Sequence, residues 1–138
     1  MATGDRIAYL VKQLQHRVRT AMDAALGGHG LSMAQYAVLQ QLAEEPGLPA
    51  AELARRTFVT RQSLQDVLAG LRAAGLVEIG PAGPGRRRDV RLTARAEALV
   101  ADADAAVRQV EERMLAGVPA ADVTRAAAVL RRSAENLS

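Results

Sequence analysis

The sequence predicts a mainly α-helical fold that carries a small β-hairpin. The chain has 138 residues, of which 49% are hydrophobic, only 2% are aromatic and 29 are alanine. Alanine is the strongest helix former, whereas strands favour β-branched and aromatic side chains, so this composition argues against a β-sandwich. Apolar residues recur at helical spacing along most of the chain, and two short stretches alternate as strands do.

The first two helices have clear start and stop signals. One apolar stripe predicts a long first helix, which the glycine-rich residues 27–30 end. Ser32 is a good N-cap for the second helix, and Glu45-Pro46-Gly47 ends that helix. The stripe of the first helix consists of Ile7, Leu10, Val11, Leu14, Val18, Met22, Ala25 and Leu26.

Two shorter helices follow, joined by the tight connection Thr57-Phe58-Val59. Pro49 suits the first turn of a helix over residues 50–56, and Thr60 caps a helix over 61–74 that Gly75 ends. Two helices with such a short connection are typical of a helix-turn-helix. The second of them has Leu64, Val67, Leu68 and Leu71 on its inner face, and its polar face carries Arg61, Gln62, Ser63, Gln65 and Asp66.

A β-hairpin is predicted directly after the helix-turn-helix. Residues 76–79 and 89–93 alternate as strands, and the loop between them is rich in glycine and proline before the triplet Arg86, Arg87 and Arg88. Because an isolated hairpin is marginal in water, it must lean on the neighbouring helices. Residues 32–93 are therefore expected to form a winged helix-turn-helix.

Two more helices are predicted at the end of the chain. The helical period returns from Thr93, Gly117 and Pro119 interrupt it, and a last helix covers about 120–137. The first, fifth and sixth helices carry more apolar surface than residues 32–93 can cover. Residues 6–28 and 94–138 are therefore expected to form the N- and C-terminal dimerisation helices of a homodimer, within a single unit spanning 1–138.

The net charge of +3 conceals a basic middle segment. From Arg55 to Arg95 there are nine arginines and three acidic residues, a balance of +6, whereas the rest of the chain has nine basic and twelve acidic residues, a balance of −3. A basic segment on a nearly neutral scaffold indicates binding to a polyanion, most simply nucleic acid.

Several other classes of function are disfavoured by composition. The chain has no cysteine and two histidines, which leaves neither a thiolate nor enough histidine ligands for a metal site. No phosphate-binding glycine motif is present, so neither an enzyme nor a cofactor is expected. No apolar run reaches membrane-spanning length, and the first residues do not resemble a secretory signal, so a cytoplasmic protein without membrane contact is predicted.

Together these segments resemble the MarR family of bacterial transcription regulators. Each motif alone is unspecific, but their order and spacing match the family over almost the whole chain. The matching residues are Gly30-Leu31-Ser32, Gln35-Tyr36-Ala37-Val38-Leu39, Glu52-Leu53-Ala54-Arg55-Arg56, Val59, Arg61-Gln62-Ser63-Leu64, Leu71, Gly75-Leu76-Val77, Arg86, Val90, Leu92-Thr93 and Leu99.

The resemblance implies a transcriptional regulator, usually a repressor, that a small anionic and often aromatic or phenolic ligand releases from DNA. The ligand would bind between the dimer region and the DNA-binding region. The chain departs from the family pattern at the wing, where Pro84 stands at the usual aspartate position. The candidate ligand-binding residues are Tyr9, His16, Arg17, Arg19 and Tyr36.

The double-stranded DNA target is expected to be an inverted repeat, read by two copies of the helix over 61–74. That helix fits the major groove with Arg61, Gln62, Ser63 and Gln65 towards the bases. The wing residues Arg86, Arg87 and Arg88 are expected at the minor groove or its phosphates, and Arg55 and Arg56 beside the backbone. The alternative is a winged-helix module that binds protein without specific DNA binding.

Overall fold

The computed structural model describes residues 2–80 and 89–138. It contains the six predicted helices and the two predicted strands, with ends that differ from the expected ones by one or two residues. In chain order the elements are a 3-10 turn (Thr3–Asp5), α1 (Ile7–Gly27), α2 (Met33–Glu44), α3 (Ala50–Thr57), α4 (Arg61–Ala73), β1 (Val77–Ile79), β2 (Val90–Leu92), α5 (Ala94–Met114) and α6 (Ala120–Asn136).

The connection between α1 and α2 is fixed by hydrogen bonds that the local sequence supplies. The Leu31 amide donates to the carbonyl of Leu26 at 3.1 Å, and Gly30 lies between them with a φ of 71°. Ser32 caps α2 as predicted, because its Oγ accepts from the amide of Gln35 at 3.1 Å. Gln35 Oε1 in turn accepts from the Ser32 amide at 3.0 Å, which completes a capping box.

The helix-turn-helix consists of α3, a tight turn and α4. The expected connection began at Thr57, but this residue belongs to the last turn of α3, where its Oγ1 donates to the Leu53 carbonyl at 2.7 Å. Phe58 then adopts a left-handed conformation with a φ of 58°. Thr60 caps α4 as predicted, and Gly75 follows the helix with a φ of 75°.

The hairpin is short, and the helices around it hold it in place. Val77 pairs with Leu92 and Ile79 with Val90 in an antiparallel register. On the far side of β2, the Val90 amide donates to the Leu48 carbonyl at 3.4 Å. Both valines are buried, so the hairpin contributes to the core as expected. The triplet Arg86, Arg87 and Arg88 lies outside the described residues.

One hydrophobic core joins the helix-turn-helix to the start of the long helix α5. It extends to Leu26 at the end of α1 and to Val100 and Ala103 in α5. Because these side chains share a core with α2 to α4, those three helices have a fixed orientation relative to α5. The most deeply buried large side chains are Leu26, Val38, Leu39, Leu42, Leu53, Leu64, Leu71 and Val90.

Apolar side chains outside this core are exposed at both ends of the chain. Leu14 in α1 is 48% exposed, and Leu130 in α6 is 52% exposed. None of the residues of α6 is buried. Within residues 2–80 and 89–138, no helix is both long and apolar enough to span a membrane.

Candidate nucleic-acid interface

Helix α4 divides into an inner face and an outer face. Leu64, Leu68 and Leu71 are 1%, 2% and 0% exposed, and they anchor the helix in the core. The four residues of α4 that were predicted to contact DNA are all exposed, and they cluster in its first two turns. They are Arg61, Gln62, Ser63 and Gln65. The core thus holds the helix rigidly and leaves a polar end free, which is the geometry that groove insertion requires.

The N-terminus of α4 is held by Thr60 and Ser63. Thr60 Oγ1 accepts from the Ser63 amide at 3.1 Å and donates to Ser63 Oγ at 3.0 Å. The Ser63 hydroxyl is therefore fixed in position, while its own hydrogen can still be donated outwards. The helix N-terminus also carries a partial positive charge, which favours phosphate groups nearby.

Arg55 and Arg56 have different environments although they are adjacent. Both guanidinium groups bond to Glu52, Arg55 Nη2 at 2.7 Å and Arg56 Nε at 3.0 Å. Arg56 also reaches Glu45 at 3.0 Å. Its side chain is only 35% exposed, against 76% for Arg55. The hydrogen bonds from Arg55 and then Arg56 hold the pKa of Glu52 below its usual value.

A second candidate site is an open cavity of about 890 Å³ between α1 and α5. Three of the five residues predicted to bind a ligand line it, namely Tyr9, His16 and Arg17. Arg19 and Tyr36 are not among its lining residues. The remaining lining residues are Lys12, Gln13, Thr20 and Arg113. An aromatic ring and three cationic side chains make this cavity suited to an aromatic anion.

Tyr36 lies instead in the core between α2 and α5. It is 6% exposed, and its hydroxyl donates a short hydrogen bond to Asp104 Oδ1. Burial, together with the hydrogen bond and the negative charge of Asp104, raises the pKa of Tyr36 far above its ordinary value. The hydroxyl therefore connects α2 to the long helix α5.

Comparison with known proteins identifies the family. The sequence model of the MarR family matches residues 29–88. The HTH-type transcriptional repressor Rv2887 of Mycobacterium tuberculosis is 37% identical over 121 residues, which is 87% of this chain and 87% of that protein. The chain belongs to the MarR family. The predicted family resemblance is thereby confirmed.

Solved MarR-family structures resemble this chain over nearly its whole length. Rv2887 in complex with DNA gives a TM-score of 0.73 at 34% identity, covering 96% of this chain and 98% of that one. Rv2887 in complex with p-aminosalicylic acid gives 0.75 at 35% identity, covering 94% and 98%. A MarR-family regulator from Rhodococcus sp. RHA1 gives 0.86 at 25% identity, covering 95% and 94%. These likenesses confirm the predicted winged helix-turn-helix fold.

Sequence reasoning missed some of the residues that line the cavity in this MarR-family chain. Lys12, Gln13 and Thr20 lie on the same face of α1 as Tyr9 and His16, at three- or four-residue spacing, so helical periodicity alone could have found them. Arg113 belongs to α5, and only the packing of α1 on α5 places it beside the cavity. Sequence reasoning also did not assign a role to the turn before α4.

Proposed function

We propose that this chain is a sequence-specific regulator that binds double-stranded DNA and represses transcription. The observation that carries the proposal is the exposed polar end of α4 above a fully buried leucine face. Support comes from Rv2887, which is named a transcriptional repressor and has been solved in complex with DNA. The chain would act on the chromosome, and therefore in the cytoplasm, without a catalytic step.

Recognition of the bases belongs to the first two turns of α4. Inserted in the major groove, Arg61 can donate two hydrogen bonds to O6 and N7 of a guanine. Gln62 and Gln65 can each pair with N6 and N7 of an adenine. Ser63 can donate to a base or to a phosphate. Sequence preference thus depends on a few side chains whose backbone is fixed by the core.

Arginines on either side of α4 would supply the electrostatic part of the affinity for DNA. Arg55 is exposed on the last turn of α3, and the wing residues Arg86, Arg87 and Arg88 extend the same cationic segment in sequence. These side chains would bind phosphates or enter the adjacent minor groove, whose narrow form concentrates negative potential. Arg56 would flank the backbone in a weaker role, since two carboxylates already bind it.

A homodimer would cover the apolar surfaces at the two ends of the chain. The exposed side chains of α1 and α6 lie within residues 6–28 and 94–138, which we assign to the dimerisation region. Two copies related by a two-fold axis would present two α4 helices about one turn of DNA, roughly 34 Å, apart. The operator would then be an inverted repeat.

A small aromatic anion is proposed as the effector, and the cavity between α1 and α5 as its site. The carboxylate would pair with Arg17, Lys12 or Arg113, and the ring would pack on Tyr9. The complexes of Rv2887 with p-aminosalicylic acid and with salicylic acid support this ligand class. Binding there would alter the separation of the two α4 helices and so release the DNA.

Selection of bound sequences from random duplexes tests the DNA-binding proposal. The wild-type chain should yield a palindromic consensus, and Arg61→Ala should weaken the preference at one position of each half-site. Arg72→Ala is the matched control, because it removes an exposed arginine from the opposite end of the same helix. An Arg61→Ala consensus identical to that of the wild type would overturn the assignment of Arg61 to base recognition.

A salt titration separates this function from a winged-helix module that binds only protein. Counterion release makes the affinity of a DNA-binding protein fall steeply as salt rises. A flat dependence of log affinity on log salt, or no binding to any duplex, would favour the protein-binding alternative.

A further inference from the structure

Phe58, in the turn between α3 and α4, is the feature that the DNA-binding proposal leaves unexplained. Its side chain is 95% exposed. It is also the one residue other than glycine that has a positive φ among residues 2–80 and 89–138, at 58°. The chain has only three aromatic residues, and one of them is therefore held almost entirely in solvent.

Neither folding nor packing explains a phenylalanine at this position. A left-handed backbone conformation is unfavourable for a side chain of this kind, and glycine or asparagine would adopt it more easily. The exposed ring gains nothing from burial, since water surrounds it. The backbone conformation and the exposed side chain of Phe58 are both unfavourable for folding. Such a residue points to a function other than stabilising the fold.

The turn holds Phe58 in a defined place. The Phe58 amide donates to the Arg55 carbonyl at 3.4 Å, and the next amide, that of Val59, donates to the Ala54 carbonyl at 3.2 Å. Val59 packs against the hydrophobic core. The ring is thus presented three residues before Arg61 and three residues after the exposed guanidinium of Arg55. It lies within the surface that the proposed function assigns to DNA.

We propose that Phe58 is a specificity-determining contact that packs against a thymine methyl group at the edge of the major groove. This inference rests on the proposed DNA-binding function. The thymine methyl is the apolar group that the major-groove edge of the bases presents, and an aromatic side chain is a suitable partner for it. Arg61, Gln62 and Gln65 read hydrogen-bonding groups, so Phe58 would add a preference that they cannot supply.

The test begins with sequence selection by the wild-type chain and by Phe58→Asn. Asparagine tolerates the left-handed conformation, so the variant should fold with an undiminished melting temperature. The wild type should prefer thymine at one position of each half-site, and Phe58→Asn should lose that preference alone. Phe58→Leu, which keeps an apolar side chain, should retain it in part.

A methyl deletion in the DNA then tests the contact directly. Replacing the selected thymine by uracil removes only the C5 methyl, and wild-type affinity should fall about fourfold, the effect of one methyl-sized group. The same replacement should not change the affinity of Phe58→Asn. The salt dependence of the two proteins should be equal, because no phosphate contact is lost.

The outcomes separate this inference from the proposed function. If the wild type selects no duplex, the proposed DNA-binding function fails. If it selects a palindrome but uracil has no effect, or if Phe58→Asn selects the same consensus with the same affinity, the contact to thymine is wrong while DNA binding stands. The contact to thymine would also be wrong if Phe58→Asn bound all duplexes more weakly by the same factor and its affinity still fell when uracil replaced thymine.

Discussion

Arg55 and Arg56 are neighbours in the chain, yet their guanidinium groups make different interactions. Arg56 joins Glu45, after α2, to Glu52 in α3, and so braces the start of the helix-turn-helix. Arg55 shares Glu52 but stays mostly in solvent. An exposed ion pair is weak, so Arg55 can exchange Glu52 for a phosphate with little loss.

Replacing each of these arginines should therefore affect DNA binding differently. Arg55→Ala should reduce the slope of log affinity against log salt by about 1, the loss of one phosphate contact. Arg56→Ala should change that slope less, because its charge is already compensated by two carboxylates. Titration of a selected duplex at several salt concentrations measures both slopes. Equal losses in the two variants would contradict the distinction.

Replacing Tyr36 should reduce the stability of the fold, because its hydroxyl bonds to a residue of another helix. Tyr36→Phe removes the hydroxyl that donates to Asp104, and it should lower the free energy of unfolding by about 1.5–3 kcal/mol, the usual contribution of a hydrogen bond to a charged group. Asp104→Asn is the matched control, since an amide oxygen can still accept the bond. Chemical denaturation at neutral pH measures both changes, and a larger loss in Asp104→Asn would count against the bond.

The same hydroxyl makes stability depend on alkaline pH. The pKa of Tyr36 is raised in the folded chain, so the stabilisation is complete below the ordinary tyrosine pKa of about 10 and is lost as pH rises through the folded value. The difference in unfolding free energy between wild type and Tyr36→Phe should be constant up to about pH 10 and should shrink between about pH 10 and pH 12. A difference that stays constant over this range would show that the pKa of the Tyr36 hydroxyl is not raised in the folded chain.

At the scale of whole elements, α4 and α6 represent two different uses of an amphipathic helix. The apolar face of α4 is buried by the rest of the chain, so its polar face is available for recognition. The apolar face of α6 is exposed in a single chain, and none of its residues is buried. An amphipathic helix of this length needs a second surface, which a symmetric copy would supply.

A charge placed on the apolar face of α6 should separate the dimer. Leu130→Glu puts a carboxylate among side chains that we expect at the interface, and sedimentation equilibrium should show monomers with reduced affinity for an inverted repeat. Arg132→Glu, on the opposite face of the same helix, should leave the oligomeric state unchanged. A dimer that persists in Leu130→Glu would exclude this face from the interface.

At the scale of the molecule, the cavity between α1 and α5 lies beside the helices that we assign to the dimer, and the described residues that we assign to DNA contact lie on α3 and α4. The shared core connects these regions, because Leu26 of α1 and Val100 of α5 pack with the helix-turn-helix. A ligand that repositions α1 against α5 would therefore change the position of α4. Any such coupling must act equally in both directions.

That reciprocity gives a quantitative prediction. Saturating p-aminosalicylic acid should weaken binding to a selected duplex, by a factor on the order of 5 to 150 if the coupling is typical. The duplex should weaken binding of the acid by the same factor. Arg17→Ala should bind the duplex normally but lose the response to the acid. Calorimetric titrations with and without the second ligand measure both factors, and a factor of about 1 in both titrations would show that the cavity is not coupled to DNA binding.

The sequence by itself determined the helices, their ends and the faces they present. Caps such as Ser32 and Thr60, and glycines such as Gly75, act through hydrogen bonds and dihedral angles within a few residues, so a local pattern is sufficient to place them. The sequence also predicted which residues of α4 are exposed, because a helical period assigns each residue to one face.

Only the tertiary structure decided which residues meet across the chain. The bond from Tyr36 to Asp104 spans 68 positions, and the bond from Arg56 to Glu45 spans 11. Arg113 reaches the cavity only because α5 packs on α1. These contacts depend on how helices pack together, and the packing is set by the summed burial of many side chains, which no local period in the sequence specifies.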